Sequence, residues 1–569
     1  VKPITPAPTM RSDSLDDAVL ATLARLTAGL SPSSMIQAMT AWWTSLASSP
    51  AEQSRCMAVT FQLMLDHWEG RDREPTDTRF SDRRWHGWPW LTMARTHETA
   101  TQWWEQVTRI DGMPDHAREQ MSFYARQWLD LLAPSNLLAT NPHALGKAME
   151  TLGGSLHQGW LLALEDLREA ATADPTPKDM ALTPGAKLAT TPGQVVLRNH
   201  LVELIQYAPT TSKVQAAPVF IVPSCIMKYY ILDLSPHNSM VRWLVDQGHT
   251  VFMVSWRNPD AADAHLTFDD YVRQGVLEPL ALIHALCRQP VHLVGYCLGG
   301  TFAAVAAAAL AREHPPQPVT PLAGLTLMAA ETDFSEPGEM GVLIDEAQVK
   351  MLEAMMGSQG FLSGRQMAGS FQFLHARDLV WARRTQRWLL GEETAGNDLM
   401  AWNADVTRLP ATMHSQYLRR MYLDNALANG RYRFEGRPVN LRDIRAPLFV
   451  VGTEKDHVSP WRSVFKIHQL ADVPIRFVLT NGGHNAGIVS EPGHAHRHYR
   501  WGDTASDGAR PTPEQWLQQA TACEGSWWLA WSDWLTQRAT GPEVAPRHPD
   551  SSAGLGAAPG HYVHVRYAD

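Results

Sequence analysis

Nowhere in these 569 residues does an apolar run approach the ~20 residues that a bilayer-crossing helix requires. The longest apolar stretches, such as the one after Thr301, fall far short, so no membrane span is expected. Cysteine is scarce. Cys56, Cys225, Cys287, Cys297 and Cys523 are odd in number and lack paired spacing, which argues against a disulfide framework and for a reducing, cytoplasmic setting. No His, Cys, Asp or Glu cluster has metal-ligand spacing, so no metal is expected. Lys and Arg are scattered rather than striped, and a net charge of -9 is modest at this length, which gives nucleic-acid binding no support. The N-terminus carries Pro and acidic residues where a secretory signal would place basic and apolar blocks.

What is present is ample apolar content, 44% of residues, in a chain too long for one ordinary core. Composition divides it near residue 190. The first part, 1–190, reads as a helical N-terminal domain rich in tryptophan, with Trp42, Trp43, Trp68, Trp103, Trp104 and Trp128 set among Leu, Met and Ala. Core packing is the plainer reading of those rings, and apolar surface offered to a partner is the sharper one. Residues 173–193, dense in Pro, Gly and Thr, read as a connector.

From 191 to about 540 strands and helices alternate as in a parallel sheet, with 541–569 as a C-terminal tail. The strand candidates are PVFIVPS at Pro218, HTVFMVSW at His249, VHLVGYC at Val291, LAGLTLMAA at Leu322, APLFVVGTEKD at Ala446 and IRFVLTNGGH at Ile475. Near-continuous apolar runs of this kind suit strands covered on both faces. The interval 331–440 breaks the alternation with helical sequence bearing Met and Trp, and an insertion capping the sheet accounts for it.

At the centre stands Gly295-Tyr296-Cys297-Leu298-Gly299, between an apolar strand and an alanine-rich helix. This matches a nucleophile elbow, in which glycines let the backbone bend sharply and leave the apex side chain exposed at a helix N-terminus. The apex here is a thiol, and the helix N-terminus is expected to favour its thiolate. A buried small hydrophobe is the common fate of a free cysteine. The downstream order weighs against that fate here. In the α/β-hydrolase architecture an acid follows a late strand and a histidine follows the next, and Asp456 and His484 occupy those positions. Each has a plainer alternative. Asp456 precedes Ser-Pro-Trp and could cap a helix. His484 is one of 24 histidines, with His457, His494, His496 and His498 nearby.

The sequence resembles the polyhydroxyalkanoate synthases, most of all the single-chain class I type. The resemblance is carried by LAPSNLLATNP at Leu132, LATTPGQVVLRNHLVELIQYAPTT at Leu188, PSCIMKYYILDL, GHTVFMVSWRNPD, GYCLGGT, ETDFSEPGEMGVLIDE, DLVWARRTQRWLLG, MAWNADVTRLPATMHSQYL and the closing APGHYVHVRYAD, covering the chain from about Ser122 onward. It departs from the family at Pro223-Ser224-Cys225-Ile226-Met227 and at Asn485, and its first 90 residues match least.

The resemblance implies an α/β-hydrolase core with a mostly parallel sheet and a helical cap. It also implies a Cys297 nucleophile, an Asp456 acid and a His484 base. Backbone amides of Leu298 and Ile226 are expected to form the oxyanion hole. The implied reaction polymerises 3-hydroxyacyl-CoA, short-chain units such as 3-hydroxybutyryl-CoA, with release of CoA. CoA is then part of the substrate and no cofactor is expected. The growing polyester, a granule surface and a second copy of the chain are the implied partners. Candidates for the CoA phosphates are Lys228, Arg383, Arg384, Arg419 and Arg420. A cysteine-dependent thioesterase or polyester depolymerase of the same fold is the alternative, differing in whether water or a hydroxyacyl chain accepts the acyl group.

Overall fold

A computed structural model describes residues 15–566, apart from 28, 71–73, 173–181, 313–320, 375, 394–395, 507, 509, 540 and 552–553. Residues 173–181 of the connector expected at 173–193 and the last three tail residues therefore lie outside the described residues.

The six expected runs become strands. They are β3 (Val219–Val222), β4 (Val251–Trp256), β5 (Val291–Tyr296), β6 (Leu322–Met328), β7 (Leu448–Thr453) and β8 (Ile475–Thr480). They pair in parallel in the order β4-β3-β5-β6-β7-β8. Helices cover both faces, so nearly every side chain of the central strands is buried, and this explains the unbroken apolar runs.

Four further strands widen the sheet to ten. β1 (Gly193–Arg198) and β2 (Val202–Tyr207) join antiparallel beside β4, and β9 (His498–Thr504) and β10 (Thr521–Glu524) extend the other edge beyond β8. β2 carries Glu203 fully buried. Its carboxylate accepts from Arg198 and from the amides of His561 and Tyr562, so a polar strand residue pins the C-terminal tail to the sheet.

Among the described residues, seven α-helices come before the sheet: α1 (Leu15–Leu26), α2 (Pro32–Ala47), α3 (Pro50–Glu69), α4 (Trp90–Val107), α5 (Asp115–Leu131), α6 (Pro142–Glu150) and α7 (Gly154–Thr172). Their small cores hold Trp42 with Trp104, and Phe80 with Trp85. The rings divide between burial and exposure. Trp42 and Trp85 are buried, while Trp43, Trp68 and Trp128 are exposed.

Over the C-terminal ends of the parallel strands lie helices Gly338–Val342, Glu346–Gly357, Gly364–Leu374, Asp398–Asn403 and Ala411–Tyr417. The α1–α2 loop touches them. Gln348 donates to the Gly29 carbonyl and accepts from the Ser31 amide. Among the described residues no helix is long and apolar enough to cross a membrane.

Candidate active site

The apex is built from close backbone packing. Cys297 sits between β5 and the helix Leu298–Leu310 with φ +53° and ψ −127°, a left-handed conformation that side chains other than glycine rarely take. Its amide donates to the Met328 carbonyl at 2.9 Å, and its carbonyl accepts from the Gly300 amide at 2.8 Å. A Cβ at Gly295 would stand 2.4 Å from the Gly300 Cα, and one at Gly299 would stand 2.1 Å from the Val222 carbonyl oxygen. The glycines are thus required by contact with the helix and with β3, and the thiol is held out into a cavity.

Asp456 follows β7. The Thr453 hydroxyl donates to its Oδ2 at 2.8 Å, and the Val458 and Ser459 amides donate to its Oδ1 at 2.9 and 2.8 Å. The amide contacts brace the turn rather than cap the next helix, whose N-cap is Pro460, and His484 Nδ1 donates to the same Oδ2 at 2.8 Å. His484 follows β8 in a turn where Gly482 takes φ +108°. The Cys297 thiol hydrogen-bonds the same ring.

Burial opposes charge on this histidine, but Asp456 and Cys297 outweigh it and hold the imidazole well above its ordinary pKa. Burial likewise opposes the Asp456 carboxylate, and His484 with the surrounding donors prevails and lowers its pKa. The neighbouring histidines point elsewhere. His457, His494 and His498 face Glu339, Glu491 and Glu454.

Cys297, His484, Leu298 and Ile226 all line one cavity of about 820 Å³, roofed by Leu343, Leu352 and Met367 of the capping helices and reached by Leu30 from the α1–α2 loop. Leu298 opens its helix, where backbone amides have no carbonyl partner within the helix. The Ile226 amide makes a long 3.3 Å bond to Ser224 Oγ. Cys225 is buried, and burial pushes its thiol pKa well up. An arrangement of this kind can pass a thiol proton to an imidazole whose charge a carboxylate stabilises.

The chain is similar to known sequences over most of its length. The profile described as "Poly-beta-hydroxybutyrate polymerase (PhaC) N-terminus" matches residues 76–244, and "Poly-beta-hydroxybutyrate polymerase N terminal" matches 11–51. The α/β hydrolase fold profile matches 218–491. The poly(3-hydroxyalkanoate) polymerase of Methylorubrum extorquens is 37% identical over 501 residues, 86% of this chain and 81% of the relative. The chain belongs to the poly(3-hydroxyalkanoate) polymerase family. A second polymerase, subunit PhaC of Cupriavidus necator, is 36% identical over 85% of this chain and 83% of its own length. Membership makes the protein an acyltransferase of the α/β-hydrolase fold. A solved monoacylglycerol lipase from Paleococcus ferrophilus overlaps 59% of this chain and 99% of its own, at 13% identity and a TM-score of 0.32, so the fold assignment stands on the sheet and elbow instead.

Viewed as a polymerase, the chain uses several of the basic CoA candidates for other work. Lys228 is buried and donates to the Tyr562 and Val565 carbonyls of the tail. Arg419 pairs with Glu346 and Glu353 of the cap. Arg384 lies over Trp381 and Trp388, and Arg420 lies over Tyr432. Arg383 lines the cavity. The cavity also holds groups that sequence reasoning passed over, Glu331, Tyr417 and Tyr422. Glu331 opens a quoted motif, yet no local pattern marks it as a site residue.

Proposed function

We propose that this protein polymerises 3-hydroxyacyl-CoA thioesters, short-chain ones such as 3-hydroxybutyryl-CoA, with release of CoA through a thioester on Cys297. The observation that carries the reading is the linkage of Cys297, His484 and Asp456 at the floor of a capped, largely apolar cavity. His484 takes the thiol proton, and the sulfur attacks the acyl carbonyl. The Leu298 amide, with that of Ile226, holds the oxyanion. Collapse expels CoA as its thiol, reprotonated from His484. Both the donor and the acyl-enzyme are thioesters, so the transfer is close to energy-neutral and the acyl group stays activated. Elongation then has His484 remove the proton of a 3-hydroxyl, whose oxygen attacks the carbonyl of the Cys297 thioester; the C–S bond breaks and the Cys297 thiolate leaves, regaining a proton from His484.

The helical face of α3 supports work at a polyester surface. Met57, Phe61, Met64, Leu65 and Trp68 are spaced along one stripe and exposed, with Trp43 of α2 and Trp160 of α7 also exposed. Granule association and action as a homodimer belong to this proposal.

Peptide mass mapping after reaction with a chain-terminating acyl-CoA analogue tests the covalent step. The acyl group should fall on Cys297 and be missing in Cys297→Ala. Labelling at Cys225 would contradict the assignment.

A further inference from the structure

Glu331 lies three residues beyond the end of β6, held by the Thr301 hydroxyl, which donates to its main-chain carbonyl at 2.9 Å. It is 4% exposed, it lines the same cavity as Cys297 and His484, and its Oε1 is buried with no hydrogen-bond partner. Asp456, Cys297 and His484 are near enough to act on its charge, Ser463 hydrogen-bonds its carboxyl, and Tyr417 and Tyr422, their hydroxyls 3.4 Å apart, feel the same group. Folded chains rarely leave a buried polar atom unpaired, because its lost hydration is not replaced. A ligand that supplies the missing partner removes that penalty.

The surroundings specify the ligand chemistry. Phe334, Leu343, Ile344 and Leu352 make the nearby wall apolar, which suits a short acyl chain. Burial, reinforced by Asp456 and Cys297, raises the Glu331 carboxyl pKa well above the ordinary carboxylate range, which favours the neutral acid. A cation would need the ionised form, which this environment opposes. A neutral carboxylic acid presents one O–H donor and one carbonyl acceptor, the complement of an aliphatic hydroxyl.

We propose that the Glu331 carboxyl is a hydrogen-bonding subsite for the hydroxyl of a 3-hydroxyacyl unit bound beside Cys297. The assignment rests on the polymerase reading above and deepens it. Glu331 forms no bond to carbon and carries no proton away. It holds the hydroxyl while His484 does the proton transfer, and it distinguishes hydroxyacyl from plain acyl groups. A site built to pair a substrate hydroxyl discriminates strongly against the analogue lacking it, because its own polar group is then left unpaired.

The test compares single-turnover CoA release from 3-hydroxybutyryl-CoA and butyryl-CoA by the full-length protein. The unsubstituted protein should prefer the hydroxy substrate by ~10-fold or more. Glu331→Leu should bring the ratio close to one, and Glu331→Gln, which keeps a donor and an acceptor, should restore the larger part of it. Difference infrared spectroscopy on Cys297→Ala protein is independent of whether Glu331→Leu folds. Binding of 3-hydroxybutyryl-CoA should shift a protonated-carboxyl C=O band that Glu331→Gln lacks, and butyryl-CoA should not shift it. An unshifted band, or a folded Glu331→Leu variant with the full preference, overturns the subsite while leaving the polymerase reading intact. Failure of the unsubstituted protein to release CoA from either thioester overturns both.

Discussion

His484 and Asp456 meet through a 2.8 Å contact between Nδ1 and Oδ2, and the carboxylate is fixed for it by the Thr453 hydroxyl and the Val458 and Ser459 amides. The carboxylate therefore sets both the direction of the ring and the cost of charging it. Asp456→Asn keeps the size and much of the turn but presents a neutral group to the ring. Turnover should fall by ~10³–10⁴, with little change in thermal midpoint. Steady-state CoA release and a melting curve check this. Near-normal turnover would show that another acid does the work.

Gly299 has no room for a methyl group, since a Cβ there would stand 2.1 Å from the Val222 carbonyl oxygen and 2.6 Å from that of Pro223. Both atoms are backbone, so neither can swing aside. Gly299→Ala should lower stability by ~1–3 kcal/mol and displace the segment leading to Ile226. Urea unfolding with a parallel activity assay measures both effects. A variant of unchanged stability and activity would mean that the elbow is looser than this contact implies.

His249 is 1% exposed, has no hydrogen-bond partner at either ring nitrogen, and burial depresses its pKa to about 4. In the unfolded chain the same ring gains its proton near pH ~6.5. Between those values unfolding takes up a proton, so this residue's contribution to stability is lost as pH falls from about 6.5 towards about 4. The slope should approach ~1.4 kcal/mol per pH unit for one proton. His249→Leu should make the dependence of unfolding free energy on pH shallower near pH 5, as read by denaturant titrations at several pH values. An identical slope would show that His249 titrates normally in the fold.

The helices Gly338–Val342 and Glu346–Gly357 bring residues such as Met340 and Leu352 to the cavity wall. The proposed thioester on Cys297 would have to be shielded from water, and these helices are placed to do it. Hydrogen exchange across 338–357 should slow when a non-transferable analogue of 3-hydroxybutyryl-CoA binds. Exchange that ignores the ligand would remove the cap from this role.

Six parallel strands were legible because both their faces are covered, which leaves a continuous apolar run in the sequence. β9 was not legible, since His498 to Thr504, one strand in from the sheet edge, keeps most of its residues partly exposed. β2 was obscured by Glu203 and Gln206, polar residues buried only because Arg198 and the tail supply their partners. At the site, Cys297 stands directly after β5, and Asp456 and His484 stand three and four residues beyond β7 and β8, in the chain order that a nucleophile elbow leads one to look for. Glu331 differs. Its burial and its unpaired oxygen depend on β6, the elbow helix, the β7 loop and the cap converging, and no short stretch of sequence encodes that convergence.

The central claim is that a hydroxyacyl chain, not water, accepts the acyl group from Cys297. Water stands at ~55 M, and positioning within a site can supply effective concentrations of ~10⁵ M or more, enough to overcome that excess. The decisive measurement gives purified protein 3-hydroxybutyryl-CoA and quantifies CoA, polymer and free acid in the same tube. Insoluble polyester of many units, with free 3-hydroxybutyrate a minor product, is the predicted result. CoA release matched by free acid, with no polymer, would contradict the account and assign the chain to thioester hydrolysis.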